Sequence, residues 1–90
     1  MRVDLFLKFS RLCPRRAIAQ KLCDAGLVFI NGRAAKSAQN VKLGDEIVIR
    51  KRNEAIIARV QRVPTGRNVS RDESRLLVEI ISRIASDNDA

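Results

Sequence analysis

The sequence predicts an α+β domain: a two-helix hairpin packed on a small, mostly antiparallel β-sheet, with a further helix at the C-terminus. Three observations carry this reading. Apolar residues recur at helical spacing over residues 2–25, interrupted at Pro14. From Leu27 the pattern turns strand-like and is punctuated by Asn31-Gly32 and Gly44-Asp45. After Pro64, the capping signature Ser70-Arg71-Asp72-Glu73 opens a stretch whose leucines and isoleucines again fall at helical spacing.

Residues 2–10 read as a short helix. Val3, Phe6, Leu7 and Ser10 form one stripe, flanked by Leu5 and Phe9. Asp4, Lys8 and Arg11 fall opposite, with Asp4 complementing the helix dipole and within reach of Lys8. Arg2 is expected to point away from that face. Pro14 suits the first turn of a second helix over residues 14–25, with Ile18, Leu22 and Ala25 as its buried line. Arg16 and Gln20 share a polar line, and Arg15 heads another through Ala19 and Cys23. Gly26 is placed to let the chain leave the helix.

Leu27–Ile30 then reads as a strand, Asn31-Gly32 as a type I′ turn, and Arg33–Lys36 as the returning strand. Residues 37–43 read as irregular, with Val41 plugging the core. Strands follow over Glu46–Arg52 and Ala55–Val63. The division expected is a domain over 1–63, a linker over 64–69, an amphipathic helix over 70–85 and a frayed tail over 86–90. Leu76, Leu77, Ile80, Ile81 and Ile84 would line the buried face of that helix.

Composition narrows the function. Ninety residues bound the chain to one domain, and 46% hydrophobic content is ample for a core. No apolar run reaches the length of a bilayer span, and charges interrupt the N-terminus at once, so a cytoplasmic protein is expected. Cys13 and Cys23 lack CxxC spacing and read as small, semi-buried apolar residues. With no histidine, a zinc site lacks ligands and acid–base catalysis would fall to carboxylates. Asp24, Asp45 and Glu46, the candidates, sit at a helix end and a turn. No cofactor, metal or catalytic residue is expected.

Charge is the strongest signal. The net charge is +8, and the excess is confined to residues 1–63, which carry fourteen basic and five acidic side chains. Such a field draws polyanions. Arginine outnumbers lysine, and its planar fork suits phosphate and base edges. Arg2, Arg11, Arg15 and Arg16 crowd the helical part. A membrane-surface role fits poorly, because the polar face of the C-terminal stretch mixes Glu, Ser, Asp and Arg. No helix with base-reading residues suggests DNA. RNA is the expected partner.

The order helix, Arg-rich turn, helix, Gly, strand, Asn-Gly, strand, loop, Gly-Asp, strand resembles the S4 domain, the RNA-binding module named after ribosomal small-subunit protein four. The matching residues are Arg2-Val3-Asp4 with Leu7, Arg11-Leu12, Arg15-Arg16 with Ala19 and Leu22, then Gly26, Val28 and Ile30-Asn31-Gly32, and finally Val41 through Ile47. They cover about residues 1–52. The opening Met1-Arg2-Val3-Asp4 and the run from Phe6 to Arg16 are similar to a narrower group, the stand-alone family of ribosome-associated quality control protein P. The heat-shock protein fifteen family is a near relative.

The resemblance implies the S4 RNA-binding fold and a non-enzymatic role on a large ribosomal subunit obstructed by peptidyl-tRNA. Such proteins contact large-subunit rRNA and P-site tRNA and help a tailing factor extend the stalled chain with alanine, without a template. The alternatives are recycling of large subunits carrying nascent chains, or generic rRNA binding. Carried over residue by residue, Arg2 and Arg16 match RNA-contacting positions, with Arg11, Arg15, Gln20 and Lys36 as neighbours. A monomer is expected. Two departures stand out. Cys13-Pro14 replaces a more basic turn. Leu27 and Phe29 lie on the outer face of their strand. Either the C-terminal helix covers them through Leu77 and Ile81, or Phe29 stacks on a base or a partner.

Overall fold

The computed structural model describes residues 1–65 and 68–85. The first helix, α1, spans Val3–Phe9, and Val3, Phe6, Leu7 and Ser10 are all buried, as the helical stripe requires. The second, α2, spans Arg16–Asp24 and ends in a Schellman motif. The Gly26 N–H donates to the Cys23 carbonyl at 3.0 Å and the Leu27 N–H to the Leu22 carbonyl at 2.9 Å. Gly26 takes φ +75°, which a residue with a Cβ adopts only at a cost.

Strand β1, Val28–Ile30, turns into β2, Arg33–Ala34, through Asn31 and Gly32. Their φ values of +51° and +85° are those a type I′ turn needs. Strands β3, Glu46–Arg50, and β4, Glu54–Val60, form the next hairpin. Between them and β2, the irregular stretch 35–45 runs beside the start of α1. The Val3 N–H donates to the Gln39 carbonyl at 2.7 Å and the Val41 N–H to the Met1 carbonyl at 2.9 Å, and Val41 is buried.

The sheet has the order β2-β1-β3-β4-β5 and is antiparallel throughout. Val28, Ile30, Ile47, Ile49, Ile56 and Ala58 are buried on the face that meets the helices, and with Val3, Phe6 and Leu7 they form one apolar cluster. Cys13 and Cys23 join it as buried free thiols, whose pKa values burial pushes up.

Two expectations need correcting. The buried line of α2 is Ala19 and Cys23, whereas Ile18 and Ala25 are exposed and Leu22 is half-buried. The small line lets α2 lie close to α1, and bulkier residues are turned outward.

The second correction concerns residues 70–85. Helix α3 covers only Arg71–Ser74, with the Ser70 hydroxyl accepting from the Glu73 N–H at 3.0 Å as the capping signature requires. Then Val78–Ala85 forms β5, which pairs with β4. The physical reason is twofold. Val78, Ile80, Ile81 and Ile84 are β-branched, and β4 offers a free edge. Ala58 pairs with Ile80 and Ile57 with Ser82, so Ile81 is an extra, bulged residue. The bulge breaks the period of two and imitates helical spacing. Leu77 is buried in the core and does not cover Phe29, which lies half-buried with the Arg50 guanidinium 5.6 Å from its ring centroid. Ile80, Ile81 and Ile84 are exposed. The expected tail 86–90 and part of the expected linker lie outside the described residues.

Leu77 and Leu76 discriminate the two arrangements. Leu77→Ala should cost about 2–5 kcal/mol of stability, as for other buried leucines. Leu76→Ala, at a residue 54% exposed, should stay within about 0.5 kcal/mol in a denaturant titration. Equal losses would contradict a strand entered through a buried Leu77.

Candidate nucleic-acid interface

Asp4 organises the basic end of the molecule. It lies in the first turn of α1, yet its side chain is fully buried. Its carboxylate accepts five hydrogen bonds. Arg2 donates from Nε at 3.2 Å and Nη2 at 3.0 Å, Arg16 from Nε at 3.2 Å, Gln20 from Nε2 at 3.0 Å, and the Leu5 N–H at 2.7 Å. Arg16 and Gln20 are four residues apart on α2 and therefore share a face. Burial alone would raise the Asp4 pKa. Gln20, Arg16, the Leu5 N–H and Arg2 outweigh it and hold the carboxyl below its ordinary value of 3.8.

This corrects the expected pairing of Asp4 with Lys8 and the expectation that Arg2 points away from the face that carries Asp4. Lys8 instead lies over the Phe9 ring, 5.6 Å from its centroid. Asp4 is the residue that the sequence pattern hid. A carboxylate one turn into the most basic part of the chain, two residues after Arg2, was the available signal.

Arg2 and Arg16 remain 42% and 40% exposed at their side chains. Each guanidinium has five N–H donors and spends only some of them on Asp4, so the rest face outward. One carboxylate thus fixes two cationic forks side by side, with a net positive charge. Gln20 completes the group. Arg15 is the N-cap residue of α2 and is exposed next to Arg16. Lys36 is exposed in the segment whose neighbour Ser37 accepts from the Asp4 N–H at 3.3 Å, so it belongs to the same end. Among the described residues no acid pairs with Arg15 or Lys36. A surface of preset guanidiniums can grip phosphates with charge-assisted hydrogen bonds, chemistry suited to backbone shape rather than base sequence.

Two of the expected residues lie elsewhere. Arg11 sits past the other end of α1, with Lys8 and Lys51. Phe29 lies on the sheet face turned away from the helices, under Arg50. The Asn31–Asp45 pair stabilises the turn region instead of facing a ligand: Asn31 Nδ2 donates to Asp45 Oδ1 at 3.0 Å, and Asn31 Oδ1 accepts from the Glu46 N–H at 2.9 Å.

Residues 1–47 match the family model of the S4 domain. The chain is 39% identical over 80 residues to the RQC P-site tRNA stabilizing factor of Halalkalibacterium halodurans, covering 89% of each chain. It is 36% identical over 87 residues to the factor of the same name from Listeria monocytogenes, covering 97% of this chain and 92% of the relative. Among solved structures, the trimeric Heat Shock Protein 15 of Vibrio cholerae superposes with a TM-score of 0.79 at 24% identity, covering 89% of this chain and 80% of that one. That likeness shows the shared fold.

Asp4→Asn keeps the shape and removes the charge. Loss of the charge-assisted bonds should cost about 1.5–3 kcal/mol and lower Tm by roughly 6–24 °C. Because the folded pKa is depressed, the stability from Asp4 is present above the ordinary value and is lost as pH falls through the folded one. The Asn variant should therefore lose less stability than the parent on acidification. An unchanged melting profile would contradict the role given to Asp4.

Proposed function

We propose that this chain, which belongs to the S4 domain family and is similar along nearly its whole length to the RQC P-site tRNA stabilizing factors, is a non-enzymatic RNA-binding factor of the large ribosomal subunit. It binds subunits obstructed by peptidyl-tRNA in the cytoplasm and grips rRNA and P-site tRNA through the surface built on Asp4. In doing so it holds the tRNA steady while a tailing factor extends the stalled chain with alanine. The observation that carries this reading is the pair of half-exposed guanidiniums, Arg2 and Arg16, fixed around one buried carboxylate.

The physics supports a grip rather than a reaction. The fixed forks lose little conformational freedom on binding, because Asp4 has already ordered them. Their positive field extends over Arg15 and Lys36 and favours a dense phosphate array. Gln20 and the outward donors of Arg2 and Arg16 can also reach 2′-hydroxyls. Similarity to the RQC P-site tRNA stabilizing factors supports P-site tRNA as a partner, and the match to the S4 domain supports RNA as the ligand class.

Co-sedimentation with purified large subunits tests this directly. The protein should favour subunits carrying peptidyl-tRNA over vacant ones. Arg2→Ala or Arg16→Ala should each cost about 1–3 kcal/mol of binding. Each should also flatten the dependence of log affinity on log salt by up to about one unit. Wild-type binding to both variants, or equal binding to loaded and vacant subunits, would contradict the reading.

A further inference from the structure

A second cationic group lies at the other end of α1. There the end of α1, the turn into α2 and the residue after β3 enclose a cleft of about 660 Å³, a size typical of small-ligand sites. Lys8, Phe9, Arg11, Pro14, Lys51 and Asn68 are in its lining, and among the described residues no carboxylate lines it. Three basic residues therefore line one cavity with no counter-charge among the described residues. The Lys51 ammonium is anchored there by donating to the Leu12 carbonyl at 3.0 Å.

Arg11 carries a further sign of use. It stands just past the end of α1 with φ +63°, the left-handed conformation that Gly26 takes past the end of α2. Its N–H donates to the Lys8 carbonyl at 3.0 Å, as a helix-ending residue does. Glycine would adopt this conformation without strain. A long charged side chain kept at a strained backbone position, and lining a cleft with no carboxylate among the described residues, points to a use for the side chain itself.

Phe9 gives the cleft an apolar wall. It is half-buried, and the Lys8 ammonium rests over its ring. If that ammonium swings to an incoming phosphate, the ring face becomes open to a base. An aromatic ring beside three cations matches the two halves of a nucleotide, whereas an acidic peptide would use only the cations.

We propose that this cleft takes one unstacked nucleotide of single-stranded RNA, with its base against Phe9 and its phosphate among Lys8, Arg11 and Lys51. The inference rests on the reading of the chain as an RNA-binding factor. It adds a second mode of contact: folded RNA backbone at the Asp4 surface, an unpaired nucleotide here.

Amide chemical shifts of the isotope-labelled full chain test it with four probes: an RNA hairpin, an adenosine hexanucleotide, adenosine monophosphate and a tetraglutamate peptide. The hexanucleotide should move Phe9, Arg11 and Lys51, and the hairpin should move Arg2 and Arg16. Phe9→Leu should weaken hexanucleotide binding by roughly five- to 150-fold, the range of a lost base stack, and Lys8→Gln by roughly ten- to 150-fold, the range of a lost charge-assisted phosphate contact. Both should keep hairpin affinity within about twofold, the effect of a remote surface change. Lys8→Gln should also flatten the single-strand salt dependence by about 0.7 units. Arg11→Gly should weaken the hexanucleotide while its melting temperature holds or rises, which separates lost binding from lost folding.

An unmoved cleft, with the hairpin still shifting Arg2 and Arg16, overturns this site and leaves the proposed function standing. Silence from both RNAs overturns both. Monophosphate binding as tight as the hexanucleotide's makes the cleft a free-nucleotide site, and equal tetraglutamate binding makes it a plain anion site; either result overturns the assignment to RNA.

Discussion

The fold and the proposed function both depend on one buried carboxylate. An isolated charge in the interior costs several kcal/mol, and Asp4 is tolerated only because Arg2, Arg16, Gln20 and its neighbour's N–H all converge on it. Those partners come from the start of α1 and from α2, so the same contacts that satisfy Asp4 fix how the two helices meet. They also decide where two guanidiniums stand. Removing the charge therefore loosens the hairpin and the cationic surface together. The arginines serve two partners at once, the carboxylate beneath them and the phosphates proposed above.

The rest of the molecule supports this arrangement. The sheet supplies the buried face on which α1 and α2 rest. The segment from 35 to 41 is hydrogen-bonded to Met1, Val3 and Asp4, which ties the start of α1 to the body of the domain and keeps Lys36 at the same end. With α1 only seven residues long, about 6 Å of helix rise separates Asp4 from Lys8, and Arg11 stands just past the helix end. Both cationic groups thus lie within reach of one RNA molecule, the first proposed to grip backbone and the second a single nucleotide.

Much of the fold was legible where local chemistry and tertiary packing agree. The stripe Val3–Phe6–Leu7–Ser10, the Gly26 exit, the Asn31-Gly32 turn and the Ser70 cap each state their conformation in one or two residues. The C-terminal strand was not legible because the bulge at Ile81 disrupts its alternation, and because the open edge of β4 that captures it is a tertiary fact. The line Ala19–Cys23 was not legible beside Ile18, Leu22 and Ala25, since size and hydropathy do not reveal how closely two helices approach. In the candidate site, the arginines announced themselves by number and position. Asp4 did not, because a carboxylate in a first turn has an ordinary explanation in the helix dipole. Only the fold shows that α2 brings Arg16 and Gln20 to it.

The most direct measurement is a cryo-electron-microscopy map of the protein on a large subunit that carries peptidyl-tRNA. The account predicts that the start of α1 and the first turn of α2 face nucleic acid, with the outward nitrogens of Arg2 and Arg16 at hydrogen-bonding distance from RNA oxygens and Asp4 still enclosed behind them. A map in which that end of the molecule faces solvent, with the exposed side of the sheet against the ribosome, would contradict it.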